Sequence, residues 1–166
     1  AGARLPGTAV AAAWGAAALH RVAEDVARLG GLDVFMRRLG GAAVASWDGH
    51  ISNIHPSLLP KYRGLHTHRR ALEAGDREHG ASVHFVTAEL DGGPLIAQVH
   101  MPVHSGDSEE SLAARLLPLE HRLLGRVVAA IADGKVRWST DGVRFGGNPL
   151  EKPLQMDAAG HLVRHL

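Results

Sequence analysis

The chain has 166 residues, no cysteine, and eighteen basic against seventeen acidic residues for a formal net charge of +1. That length suits one domain with a hydrophobic core, and the lack of cysteine excludes a disulfide frame and thiolate chemistry while fitting a reducing, cytoplasmic compartment. Balanced charge and scattered aromatics (Phe35, Tyr62, Phe85, Phe145 and the tryptophans) argue against a nucleic-acid platform, which needs Lys and Arg interleaved with stacking rings.

Ala1 to Leu19 is apolar, but Arg4 is its only basic residue, and Pro6, Gly7, Trp14 and Gly15 interrupt it. It is read as neither a signal peptide nor a membrane span, which requires about 20 apolar residues. The first residue is not methionine and no clear first strand follows, so the natural protein is expected to extend upstream. Ala9 to Leu29 places Leu19, Val22, Val26 and Leu29 three or four apart, predicting one or two helical segments. Gly30-Gly31 stops them, Leu32 to Met36 reads as a short buried strand, and Arg37 to Gly41 as its exit loop. Ala42 to Trp47 is predicted as a short helix, Asp48-Gly49 as a turn, and Ile51 to His55 as a strand ended by Pro56.

A loop is expected from Pro60 to Gly64, then a helix from Thr67 to Ala74 with Thr67 as N-cap and Gly75 as stop. Ala81 to Thr87 alternates Ser82 and His84 against Val83 and Phe85, a strand pattern, and Leu95 to Val103 follows as its antiparallel partner across the turn Leu90-Asp91-Gly92-Gly93-Pro94. Asp107 or Ser108 caps the next helix, Glu109 and Glu110 complement its dipole, and its stripe runs through Leu112, Leu116, Leu119, Leu123, Val127 and Ile131 to Gly134. Pro118 inside that stripe predicts a kink costing up to about 3 kcal/mol. Val136 to Trp138 and Val143 to Phe145 flank a Thr140-Asp141-Gly142 hairpin turn. The tail from Gly146 has no strong pattern.

Strand alternation projects Asn53 and His55 together where a strand gives way to a loop. An Asn amide and a protonated imidazole can both donate to a developing oxyanion, and a carboxylate such as Asp91 nearby would stabilise the imidazolium. This set suits attack on a carbonyl and transfer between two bound substrates, with no serine or cysteine nucleophile. The alternative is structural: Asn53 and Asp91 as turn residues, His55 as a core histidine. A metal site is not expected, because the twelve histidines offer neither an i,i+4 pair with a nearby acid nor a cysteine partner.

The stretch from Asn53 to His68 (NIHPSLLPKYRGLHTH), with His79 to Val86 (HGASVHFV), Leu90 to Pro94 (LDGGP), Phe35-Met36-Arg37, Glu120-His121 and Ala132-Asp133-Gly134, resembles the glycinamide ribonucleotide formyltransferase family, within the folate-dependent formyltransferase group. Gly64-Leu65-His66 and Asp91-Gly92-Gly93-Pro94 set it apart from the tRNA-directed branch, and Pro56 from the formyltetrahydrofolate hydrolases. The resemblance implies an α/β fold: a three-layer, mostly parallel Rossmann-like sheet with an antiparallel extension. Residues 1–166 are expected to form one domain, with the signature at 35–135, a divergent or incomplete part at 1–34 and a tail at 146–166.

The activity implied is formyl transfer from 10-formyltetrahydrofolate to the amine of glycinamide ribonucleotide in purine synthesis. Asn53, His55 and Asp91 would be catalytic, and His66 and Ser82 supporting. Met36, Arg37, Leu39, Val86, Ala88, Glu89 and Leu90 would hold the folate, and Ile54, Pro56 and Glu120 the ribonucleotide. The implied partners are these small molecules, with no metal, nucleic acid or membrane, for a monomer or homodimer. The family's Gly-Ser-Asn phosphate loop is not found before Phe35, Val34 replaces a glycine, and Arg38 replaces an apolar folate-pocket residue. The chain is therefore expected to be incomplete upstream or weakened in ribonucleotide binding, and the alternative functions are a non-catalytic folate binder without the phosphate loop or another folate-dependent formyltransferase.

Overall fold

A computed structural model of the chain describes residues 52–139 and 141–165. The helices expected over 9–29 and 42–47, the strand over 32–36, and Met36, Arg37 and Leu39 lie outside the described residues. The described fold is α/β, a mixed sheet with helices. Strand β1 (Ser52–His55) pairs antiparallel with β2 (Glu78–Phe85), which pairs antiparallel with β3 (Leu95–Pro102). Among the described residues the antiparallel extension is thus present, and β3 makes the one parallel pairing.

That parallel neighbour comes from the tail. After the hairpin strands β4 (Val136–Ser139) and β5 (Gly142–Phe145) and the short β6 (Asn148–Pro149), the chain returns to the main sheet as β7 (Leu154–Met156), with β8 (Leu162–Val163) at the edge. Ala97 faces Leu154 and Gln98 faces Gln155. The tail is therefore structural, contrary to its patternless sequence. Its strands are too short for periodicity to register, but Leu154 and Met156 are buried around the more exposed Gln155, the alternation of a half-covered strand.

Between β1 and β2 lies α1 (Thr67–Glu73). Its N-cap is His66 in the left-handed region (φ 59°), without a side-chain cap bond, so Thr67 is not the cap but a buried first-turn residue. Gly75, at φ 67°, closes the helix as expected: its N–H donates to Leu72 O (3.0 Å) and that of Asp76 to Ala71 O (3.1 Å), a Schellman ending.

The long helix α2 (Glu109–Ala132) starts where Ser108 and Ser111 cap each other reciprocally, Ser111 N–H to Ser108 Oγ at 3.2 Å and Ser108 N–H to Ser111 Oγ at 2.9 Å. It continues through Pro118, which is exposed. The carbonyl that this proline leaves unbonded, at Ala114, also belongs to an exposed residue, so water can satisfy it and the missing bond does not end the helix. Leu112, Leu116, Leu123 and Val127 bury the stripe against Ala81, Val83 and Phe85 of β2 and Ala97, Val99 and Met101 of β3. Leu119 and Ile131 are only partly buried. Truncating one buried leucine here to alanine costs about 2–5 kcal/mol. With α2 on the odd-numbered face of β2, the even-numbered face is left to Ser82 and His84.

Candidate active site

Residues directly opposite in an antiparallel pair share a face. The register sets Asn53 opposite His84 and His55 opposite Ser82, and across β3 sets Ser82 opposite Gln98. Five polar side chains thus gather on the sheet face away from α2. Ile54, opposite Val83, packs against the core, so its side chain turns from this face, and any ligand contact there would use its backbone.

His55 is 7% exposed. Its Nε2–H donates to the Tyr62 carbonyl at 2.8 Å, and its Nδ1 lies 3.4 Å from Asp91 Oδ2. The same Oδ2 accepts the Gly64 N–H at 2.8 Å. The loop 60–64 therefore holds both members of the pair by backbone groups, a carbonyl on the imidazole and an amide on the carboxylate. Across the carboxylate, His84 Nε2 stands 3.7 Å from Oδ1, while His84 Nδ1–H donates to the Phe85 carbonyl at 2.9 Å. Burial alone would raise the Asp91 carboxyl. The His84 ring, although beyond hydrogen-bond distance, acts with the Gly64 N–H and the His55 ring to hold it below the usual carboxylate range.

Asp91 takes φ 49°, and the glycines after it make that turn possible. A Cβ on Gly93 would lie 1.7 Å from the Phe85 carbonyl oxygen, a contact no side chain tolerates. The Phe85 N–H in turn bonds Pro94 O at 2.9 Å, clamping the turn to the end of β2. The Asp-Gly-Gly-Pro spacing is thus what aims the carboxylate at His55.

Ser82, fully buried, donates to Ser57 O (2.7 Å) and accepts from Leu59 N–H (3.0 Å) and Gln98 Nε2 (2.9 Å). Gln98 also donates to Leu59 O at 2.9 Å. These bonds commit Ser82 to bracing the loop that follows His55. The Asn53 amide, by contrast, makes no hydrogen bond among the described residues and remains available. His66 is exposed at the α1 N-cap, its ring without hydrogen bond or ion pair among the described residues.

Val86 is buried, Pro56 partly so, and Ala88, Glu89 and Leu90 form an exposed loop tied to Arg63 through the Arg63–Glu89 ion pair. Leu65 and Leu90 are exposed large apolar side chains flanking Gly64 and Asp91 in sequence. Glu120, on α2, is part-buried at the residue level, yet its carboxyl is pushed up to about 7 by withdrawal from water. No group of histidines and acids among the described residues could hold a metal ion.

Sequence reasoning did not single out His84, Gln98, the Tyr62 carbonyl or the Gly64 amide. For the two side chains the missing signal was the cross-strand register of β1, β2 and β3. The two backbone groups have no residue-type signature.

The sequence profile of the formyl transferase family matches residues 15–128. This chain belongs to that family. As a formyl transferase it is 52% identical over 128 residues to the phosphoribosylglycinamide formyltransferase of Escherichia coli (strain K12), covering 77% of this chain and 59% of that protein. The Haemophilus influenzae phosphoribosylglycinamide formyltransferase is 40% identical over 134 residues, 81% of this chain and 62% of its own length. The chain thus spans about three-fifths of the length of these relatives. Among solved structures, the phosphoribosylglycinamide formyltransferase of Coxiella burnetii superposes with TM-score 0.64 at 47% identity, covering 67% of this chain and 52% of that one. A formyltetrahydrofolate deformylase from Pseudomonas syringae shares the fold at TM-score 0.60 and 28% identity, over 63% of this chain and 35% of its own.

Proposed function

We propose that this formyl transferase moves the formyl group of 10-formyltetrahydrofolate to the amine of glycinamide ribonucleotide. The observation that carries the reading is the His55–Asp91 pair at 3.4 Å, backbone-held on both sides and beside the uncommitted Asn53 amide. The uncharged amine attacks the formyl carbon. Asn53 donates to the oxygen as it becomes an oxyanion, joined by the Nε2–H of protonated His55 as it exchanges the Tyr62 carbonyl for that oxygen, and Asp91 balances the imidazolium and, through water, takes the proton that the attacking nitrogen loses. Collapse of the tetrahedral intermediate breaks the bond to the folate nitrogen, which is reprotonated.

Exposed Leu65 and Leu90, next in sequence to Gly64 and Asp91, offer apolar surface to a flat folate ring, and Val86, Ala88 and Glu89 are assigned to the same ligand. Glu120, with its carboxyl raised toward 7, can accept a hydrogen bond from the ribonucleotide or donate one to it. Pro56 is assigned to the ribonucleotide side, and His66 and Ser82 to support. The relatives named as phosphoribosylglycinamide formyltransferases favour the amine acceptor over water.

The test measures loss of 10-formyltetrahydrofolate with and without glycinamide ribonucleotide, and identifies the formylated product by mass spectrometry. Consumption that requires the amine and yields formylated amine is expected. Consumption independent of the amine would make the chain a hydrolase, and binding without consumption a folate-binding protein.

A further inference from the structure

His84 is the one buried side chain among the described residues with a polar atom, Nε2, lacking a hydrogen-bond partner. It is 2% exposed, and nothing in the formyl-transfer chemistry above uses it. An orphaned buried nitrogen carries a desolvation cost that a well-packed fold avoids unless the group serves a purpose. Its surroundings point to one. The Nδ1–H donates to the Phe85 carbonyl at 2.9 Å, which fixes the ring plane and leaves Nε2 aimed at Asp91 Oδ1, 3.7 Å away. The opposite carboxylate oxygen, Oδ2, already serves Gly64 N–H and faces His55.

We propose that His84 is a positioning residue for Asp91: its Nε2–H closes on Oδ1 when substrates fill the site, fixing the carboxylate's rotation so that Oδ2 stays in line with His55. With Nδ1 committed, a lone pair at Nε2 would repel the carboxylate and a proton there attracts it. Asp91 is then gripped from both sides, by His84 on Oδ1 and by Gly64 and His55 on Oδ2. Without the grip the carboxyl rotates about its terminal torsion, which is soft and two-fold, and misplacements near 1 Å can cost about 10²-fold in rate.

This inference rests on the formyl-transfer reading, and two measurements separate their failures. Glutamine places an amide near the position of Nε2, and asparagine near that of Nδ1. Positioning through Nε2 therefore predicts that His84→Asn lowers kcat 10- to 100-fold with KM for both substrates little changed, and that His84→Gln recovers most of the loss. A merely structural role at the Phe85 carbonyl predicts the reverse order, and that order would overturn the proposal. Independently of turnover, 15N spectra of the imidazole nitrogens should show the His84 Nε2 resonance moving by several ppm in Asp91→Asn and staying in place in the distant Asp133→Asn. An Nε2 resonance blind to Asp91 refutes the contact. If the wild-type chain transfers no formyl group but the resonance responds, the functional reading fails and the contact stands.

Discussion

Replacing Ser82 by alanine tests the bracing of the loop that follows His55. The hydroxyl is fully buried and makes three hydrogen bonds, to Ser57 O at 2.7 Å, from Leu59 N–H at 3.0 Å and from Gln98 Nε2 at 2.9 Å. Alanine removes few atoms, so the cavity term is small and the loss is one of polar partners. At about 1 kcal/mol net for each bond, the variant should lose about 3 kcal/mol of stability, a factor of roughly 150 in the folded-to-unfolded ratio. Urea unfolding followed by circular dichroism measures it, with an unchanged m-value showing that the denatured state is unaffected. Ser57→Ala is the internal comparison. That hydroxyl is equally buried but its side chain makes one bond, to Lys61 O at 2.6 Å, so about 1 kcal/mol is expected. Equal losses in the two variants, or a Ser82→Ala loss below about 1 kcal/mol, would refute the claim that Ser82 ties the loop to the sheet.

Three other outcomes follow from the same geometry. Gly93→Ala forces a Cβ to within 1.7 Å of the Phe85 carbonyl oxygen, so the turn must shift, and thermal melting together with formyl-transfer kinetics should show lost stability and a displaced Asp91. The His68–His79 pair, 2.9 Å apart, includes a His79 ring driven down to about 4 by burial and by His68. The unfolded chain therefore binds more protons than the folded one between about pH 6.5 and 4. Stability should be flat above that window and fall by up to about 3 kcal/mol as pH drops through it, a loss that His79→Gln abolishes in melts at each pH. Glu120 has the opposite sign: its carboxyl is raised to about 7, so its contribution is full near pH 4 and is lost as pH rises through 7. Glu120→Gln should accordingly stabilise the chain at pH 8 by on the order of 1–2 kcal/mol, allowing for partial exposure, and leave it unchanged at pH 4.5.

Local signals were readable from residues alone: the Ser108 cap and the stripe to Gly134, the strand ended by Pro56, and the Asp-Gly-Gly-Pro turn. Each depends on neighbours within a few positions. Tertiary packing decided the rest. Thr67 has the chemistry of an N-cap, yet the left-handed His66 holds that position. Pro118 is tolerated because its side of α2 faces water. The strand at Leu154 exists only because β3 offers an open edge. At the site, alternation placed Asn53 and His55 together, but the approach of Asp91 depends on a register and a loop carbonyl that no residue type announces.

The most direct test of the catalytic assignment compares transfer with binding in Asn53→Ala and Asp91→Ala. Folate affinity, read by fluorescence or calorimetry, should stay within a few-fold of wild type while kcat for formyl transfer falls by about 10²-fold or more, the usual cost of losing one oxyanion donor or its charge partner. Transfer at wild-type rates in either variant would contradict the assignment of Asn53, His55 and Asp91 as the formyl-transferring set.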